Sequence, residues 1–352
     1  MGKLKVAMIG CGGIRAQHMS GIFDEAPEID VAAACDINRE ALDNFQKRYG
    51  VKNGFEEYRE LFKAGGIDAV SIAVIPEELK VQIAVEALEH GFHVLAEKPM
   101  ALTVKEAEAM AAAARKADRV LQIGFQRRFE PICRKAWEVI NDKGSFGEVA
   151  FMRVSFIMPT NYTYVAFMSQ NPHTFDAIQY FGGYVKSIRS LARREFDHEL
   201  HAEMKAKLDR PSEQAACDVE PGLVALDAVS LLEFESGAVG TLTIANHGPG
   251  AQLRADRFEI IGTKNRAVVI DDLDNMTVLN PDGTREVVTT SSWCRKPSAY
   301  GFEYKHFAEW IETGKPSVIN LEDALRSVYL YEGFIRSLHT HEPVLMADLE
   351  ED

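Results

Sequence analysis

Positive charge is scarce in this chain: 39 lysines and arginines face 53 aspartates and glutamates, a formal net charge of −14 at pH 7. A surface of that sign repels a phosphate backbone, which excludes general nucleic-acid binding. Cysteine is scarce too. The five, Cys11, Cys35, Cys133, Cys217 and Cys294, are scattered, odd in number and never spaced Cys-x-x-Cys, which argues against a disulfide framework and for reduced thiols. No apolar run approaches the roughly 18 residues of a membrane span. Met1-Gly2-Lys3 leads straight into an apolar strand pattern, without the basic region, apolar stretch and cleavage site of a secretory leader. The expectation is a soluble, cytoplasmic protein that partners neither nucleic acid nor membrane.

What is present is globular. Of 352 residues, 46% are apolar and 26% charged, a composition that can bury a sizeable core, and the length suits two domains. Leu4 to Ile9 is a short apolar run ending at Gly10, followed by helix-compatible spacing through Ile14, His18, Ile22 and Phe23. Strand patterns at Val31 to Cys35, Ala69 to Ile75, His93 to Ala96 and Val120 to Phe125 then alternate with helical ones at Arg39 to Arg48, Glu77 to His90 and Val104 to Lys116. That alternation predicts a doubly wound parallel sheet covered on both faces, placed at residues 1–125. Residues 126–352 read differently. Strand patterns at Glu148 to Ile157, Leu226 to Phe234, Val239 to Ile244, Phe258 to Gly262, Ala267 to Asp271, Met276 to Leu279 and Glu286 to Thr289 are joined by short turns, which predicts an antiparallel meander. Helical patterns at Pro131 to Asn141, Thr174 to Phe181, Phe302 to Glu312 and Leu321 to Leu338 cover one face of such a sheet. The other face needs a partner, so a homodimer or homotetramer through this sheet is expected.

Gly10-Cys11-Gly12-Gly13-Ile14-Arg15 occupies the first strand-to-helix turn. Glycines there permit a tight turn and let the backbone approach a pyrophosphate held at the helix N-terminus. Arg15 stands where a third glycine is usual. Asp36 closes the second strand about 24 residues after Gly12, near the ~20 at which a carboxylate reaches the adenosine ribose hydroxyls. A carboxylate accepts from a free 2′-hydroxyl and repels a 2′-phosphate, which favours NAD over NADP. Arg39, three residues on, is the residue that could swing toward a phosphate and keep NADP open. Ile14, Ile75 at the end of its strand run, Glu97 and Lys98 complete the candidate cofactor contacts. Lys98 follows the end of a parallel strand, where ligands of open α/β sheets bind, and suits stabilisation of a developing alkoxide. His173 carries the side chain that titrates nearest neutral pH.

Glu97-Lys98-Pro99, Val120 to Phe129 (VLQIGFQRRF), Asp68 to Ala73 (DAVSIA), Gly144 to Phe156, His173-x-x-Asp176 and a stretch from Tyr300 to Pro316 together resemble the Gfo/Idh/MocA family of oxidoreductases. The resemblance implies an N-terminal Rossmann domain and a C-terminal α/β domain with a large open, mostly antiparallel sheet that commonly forms the oligomer interface. It implies that Lys98 is the catalytic-site lysine, His173 a proton-handling partner, and Asp176 a residue that orients the ring or binds a substrate hydroxyl. Relatives often carry an acidic residue and a glycine where this chain has Ser169 and Asn171, and Asn and His where it has Glu77 and Lys80.

Gln126, Arg127 and Arg128, with Asn161, Tyr162 and Tyr164 in the Pro159 to Met168 loop, are candidate contacts to a polyhydroxylated ligand. The charged stretch Glu195 to Pro221 places His198 and His201 three apart but reads as a solvated segment, and no metal is expected. The implied function is NAD-dependent oxidation of a ring CH–OH in a sugar, glycoside or cyclic polyol. Redox-assisted elimination of a glycosidic group, or a non-catalytic nucleotide-dependent regulator, are the competing readings.

Overall fold

The computed structural model describes residues 2–159, 164–193, 227–248, 255–271, 275–289, 298–316 and 318–350. In chain order its first elements are β1 (Leu4–Ile9), α1 (Arg15–Glu25), β2 (Ile29–Cys35), α2 (Arg39–Tyr49), β3 (Asn53–Phe55), α3 (Tyr58–Ala64), β4 (Ala69–Ile72), α4 (Glu77–Glu89), β5 (His93–Glu97), α5 (Val104–Ala117) and β6 (Leu121–Gly124). A 3-10 turn at Gln126–Phe129 leads to α6 (Pro131–Asn141), β7 (Val149–Pro159), α7 (Tyr164–Gly182) and β8 (Val185–Ala192). Then come β9 (Ala228–Phe234), β10 (Val239–Gly248), β11 (Ala255–Gly262), β12 (Ala267–Asp271), β13 (Asn275–Leu279) and β14 (Arg285–Thr289). The chain ends with α8 (Ser298–Thr313), α9 (Leu321–Thr340), β15 (Val344–Leu345) and α10 (Met346–Glu350).

These elements form two compact units, Met1–Phe129 with Trp293–Leu325, and Glu130–Ser292 with Arg326–Asp352. In the first, six strands lie in the order β3-β2-β1-β4-β5-β6, all parallel. β4 and β6 are buried at every position, as strands covered on both faces must be. Local chemistry fixes the helix ends. Asn38 caps α2 by accepting from the Ala41 N–H, and Gly50 closes it in the left-handed region, while Thr103 and Glu106 form a reciprocal capping box on α5. The sequence reading passed over β3 and α3, which are only three and seven residues long. Strand order reverses at β1, flanked by β2 and β4, and such a switch point opens a crevice at the carboxyl ends of the strands. The return segment closes the core of this unit: Tyr304 and Phe307 of α8 pack with Met8, Met19 and Ile22.

The second unit contains a nine-stranded sheet in the order β14-β13-β12-β11-β7-β10-β9-β8-β15. All pairs are antiparallel except β7 with β10, so the sheet is mixed rather than the plain meander expected from the short turns. The reason is α7. It carries the chain back along the sheet before β8 begins, so β8 and β10 run with β7, and the hairpins on either side meet at one parallel pair. The helix itself is longer than its periodicity suggested. Pro172 lies inside it, so His173, read as a helix start, falls in its middle, and Tyr164 to Met168, read as loop, are helical. In β9 burial alternates strictly: Leu232 and Phe234 face the core while Val229 and Leu231 are exposed.

Candidate active site

The turn after β1 has the conformation its glycines anticipate. Gly10 sits at φ +86, where an added Cβ would collide with the Ala73 carbonyl, whereas the space above Gly12 and Gly13 is open. The Gly10 N–H bonds the Cys35 carbonyl at 2.8 Å. Arg15, in the place of a third glycine, is buried under the turn. Its guanidinium donates to the carbonyls of Ile9, Gly10 and Ser71 and to Ser71 Oγ at 2.6–2.7 Å, so it fills the underside and leaves the upper side of the turn clear. Asp36 accepts from the Cys11 N–H at 2.7 Å and the Asn38 N–H at 2.8 Å, which fixes the carboxylate beside the turn with lone pairs to spare. Ile37 and Ile75, on the two sides of the turn, are 83% and 58% exposed, apolar surface suited to a flat ring. An open glycine cradle, an anchored carboxylate and flanking apolar side chains fit a dinucleotide. Arg39 is engaged elsewhere, paired with Asp43 at 3.0 Å and Glu56 at 3.1 Å.

At the end of β5 the polar groups are more densely built. Glu97 is buried, and its Oε1 accepts from His18 Nε2 at 2.9 Å. His18 Nδ1 lies 3.0 Å from the Tyr304 hydroxyl, which lies 2.7 Å from Ser71 Oγ, which accepts from Arg15. Burial pushes the His18 imidazole down toward its neutral form. With the proton on Nε2, every link donates in one direction, from Arg15 through Ser71, Tyr304 and His18 to Glu97. Burial works to raise the Glu97 carboxyl, but the His18 hydrogen bond and the nearby positive charges hold it below its ordinary value. Lys98 follows. It is half-buried, and burial first, then Lys80 and Arg127, bring its amine below the usual lysine range against the pull of Glu97 and Glu77. Lys80, on α4, donates to the Glu77 carboxylate and to the Pro99 carbonyl. The Ile75–Pro76 and Lys98–Pro99 peptides are cis.

Gln126 and Arg127 lie on the 3-10 turn after β6, half-buried, and Gln126 Oε1 is buried without a hydrogen-bond partner among the described residues. Arg128 instead anchors the unit internally, donating to the Val318 carbonyl and to Asp323 at 2.9 Å. In the second unit His173 and Asp176 are both buried on one face of α7. Asn161, Tyr162 and the stretch with His198 and His201 lie outside the described residues. The sequence reading missed His18, Ser71 and Tyr304 as supports of Glu97. One signal was available: His18 is a titratable residue inside the apolar stripe of α1.

Comparison with known proteins agrees with this geometry. Residues 4–125 match the model of the Gfo/Idh/MocA oxidoreductase family with its NAD-binding Rossmann fold, and residues 134–268 match the family's C-terminal domain. Relatives include the NAD+-dependent scyllo-inositol 2-dehydrogenase of Bacillus subtilis, 25% identical over 92% of this chain and 90% of that protein. A second is the myo-inositol 2-dehydrogenase of Thermotoga maritima, 24% identical over 98% and 99%. In fold, the chain is similar to an oxidoreductase from Agrobacterium radiobacter solved with NAD+, L-tartaric acid and magnesium, with a TM-score of 0.81, 20% identity and 99% of each chain covered.

Proposed function

The chain belongs to the Gfo/Idh/MocA oxidoreductase family, and on that premise we propose that it moves a hydride between NAD and a ring CH–OH of a sugar, glycoside or cyclic polyol. In this reading Lys98 and His173 handle the hydroxyl proton. The cofactor supplies the hydride acceptor. The turn Gly10 to Ile14 and the start of α1 hold its pyrophosphate, Asp36 its ribose hydroxyls, and Ile37 and Ile75 its rings. Asp36 beside the turn and an Arg39 already shared by two carboxylates favour NAD over NADP.

The observation that carries the reading is the end of β5. Lys98 stands at the same strand-end edge as the glycine cradle, and its lowered pKa enlarges the neutral fraction able to accept a hydroxyl proton near neutral pH. Once protonated it offers a positive charge to the oxygen of the returning alcohol. His173 accepts or returns the same proton as an imidazole, Asp176 orients the ring or a substrate hydroxyl, and Gln126, Arg127, Asn161 and Tyr162 bind other hydroxyls.

The test is a screen of sugars, inositols and glycosides for NADH absorbance, run with NAD and separately with NADP. Lys98→Ala and His173→Ala are each expected to lower turnover by roughly a hundredfold or more, the contribution of a general acid–base group. Near-wild-type turnover in either variant removes that residue from the mechanism. No absorbance change across the whole panel overturns the dehydrogenase reading, as does aglycone release without net NADH.

A further inference from the structure

Lys80 is buried as few lysines are, at 1% exposure, and such burial requires partners. Its ammonium donates to the Glu77 carboxylate on the same turn of α4 and to the carbonyl of Pro99. Pro99 is the residue directly after Lys98. One side chain therefore links the start of α4 to the backbone that carries the candidate catalytic amine. Neither group has a place in the cofactor cradle or the substrate contacts described above.

We propose that Lys80 is the positioning residue for Lys98: shared between Glu77 and the Pro99 carbonyl, its ammonium fixes the backbone at Lys98 and sets the field in which the Lys98 amine gives and takes its proton. The proposal deepens the dehydrogenase reading and rests on it for the role of Lys98. The groups facing Lys98 are Glu97 from its own strand, Glu77 and Lys80 from α4, and Arg127 from the 3-10 turn. Behind Glu97 stand His18 and Arg15 of α1 and Glu303 and Tyr304 of α8. Lys80 and Arg127 push the amine toward its neutral form, as burial does, and Glu97 and Glu77 oppose them. A cation next to a lysine is a known way to make the amine reactive. Two cations and two carboxylates act on Lys98 in opposite directions, so the sign of the change on removing one member depends on which member goes.

The test reads Lys98 directly. The full chain, without cofactor, is pulsed with acetic anhydride over a range of pH, and acetylation of the Lys98 peptide is followed by mass spectrometry; only the neutral amine reacts. Lys80→Met should move the labelling midpoint to higher pH by about half a unit to one unit, a three- to tenfold loss of neutral amine at a fixed pH below the midpoint. Glu77→Gln should move it to lower pH. The limb of the turnover-against-pH profile governed by Lys98 should follow in both variants. A purely structural lysine would change the melting temperature in Lys80→Met and move neither midpoint. Unmoved midpoints in folded variants overturn the proposal, and Glu77→Gln decides it alone if Lys80→Met does not fold. Failure of the dehydrogenase reading is seen separately, as no NADH absorbance across the whole substrate panel, and loss of the catalytic role of Lys98 as full turnover in Lys98→Ala.

Discussion

Glu303 of α8 has both carboxyl oxygens buried without a hydrogen-bond partner among the described residues. Burial, with the negative charge of Glu97 in the same direction, raises its pKa well above the ordinary value. The folded chain therefore keeps a proton there that the unfolded chain releases. Below the ordinary glutamate pKa both states hold the proton and stability is unaffected. Above it, stability falls as pH rises, by up to ~1.4 kcal/mol per unit until the folded pKa is reached. Glu303→Gln keeps the shape and removes the titration. Its urea midpoint should therefore gain on the wild type as pH rises above the ordinary glutamate range, and a difference that does not change with pH would show that Glu303 holds no such proton. The residue scale is also where sequence reading reached least far. Glu303 was a helical position like its neighbours, and Arg15 was a missing glycine rather than a plug; its guanidinium meets Ser71, 56 positions away, as well as Ile9 and Gly10.

Elements were more legible, because apolar periodicity is a local property of the chain. Most strand and helix readings lie within a few residues of the observed elements, and the differences have local causes: Pro172 does not begin α7, and β8 alternates Lys186, Arg189 and buried Ile188 without the long apolar run that marks the other strands. What periodicity did not reveal is which helices touch. An ideal Cβ on Gly301 would collide with the Gly21 carbonyl and the Glu25 Cβ, so α8 crosses α1 at the distance only glycine allows. In an open helix Gly→Ala stabilises by about 1 kcal/mol. Gly301→Ala should instead destabilise, by about 1–3 kcal/mol as overpacking does, and by moving Tyr304 it should loosen the support of Glu97. Chemical denaturation measures the sign, and a stabilised variant would mean that the helices part without cost.

On the scale of the whole molecule, pattern divides the chain at residue 125, while the grouping of Trp293–Leu325 with the first unit goes with packing of Tyr304 and Phe307 that no local signal announces. The second unit leaves a question of burial. Cross-strand pairing puts Leu191 opposite Val229, and Arg189 opposite Leu231, while Val239 pairs with Glu233, so Leu191, Val229, Leu231 and Val239 share one face of the sheet. All four are exposed, Leu231 at 60%. Ion pairs continue that face across β7, β11 and β12, where Arg153 meets Glu259 and Arg257 meets Asp271 at 2.5 Å. A contiguous apolar strip rimmed by charge suits an association surface better than a solvated sheet. A second copy of the chain, related by a two-fold axis, would cover it with its own strip and meet charge with charge. We propose that this face joins the subunits of a homodimer or homotetramer. Light scattering should then give a multiple of 39.2 kDa, and Leu231→Asp with Val229→Asp should reduce it to a single chain that still binds NAD through its first unit. A wild-type mass of one chain at working concentration would leave the strip without that role.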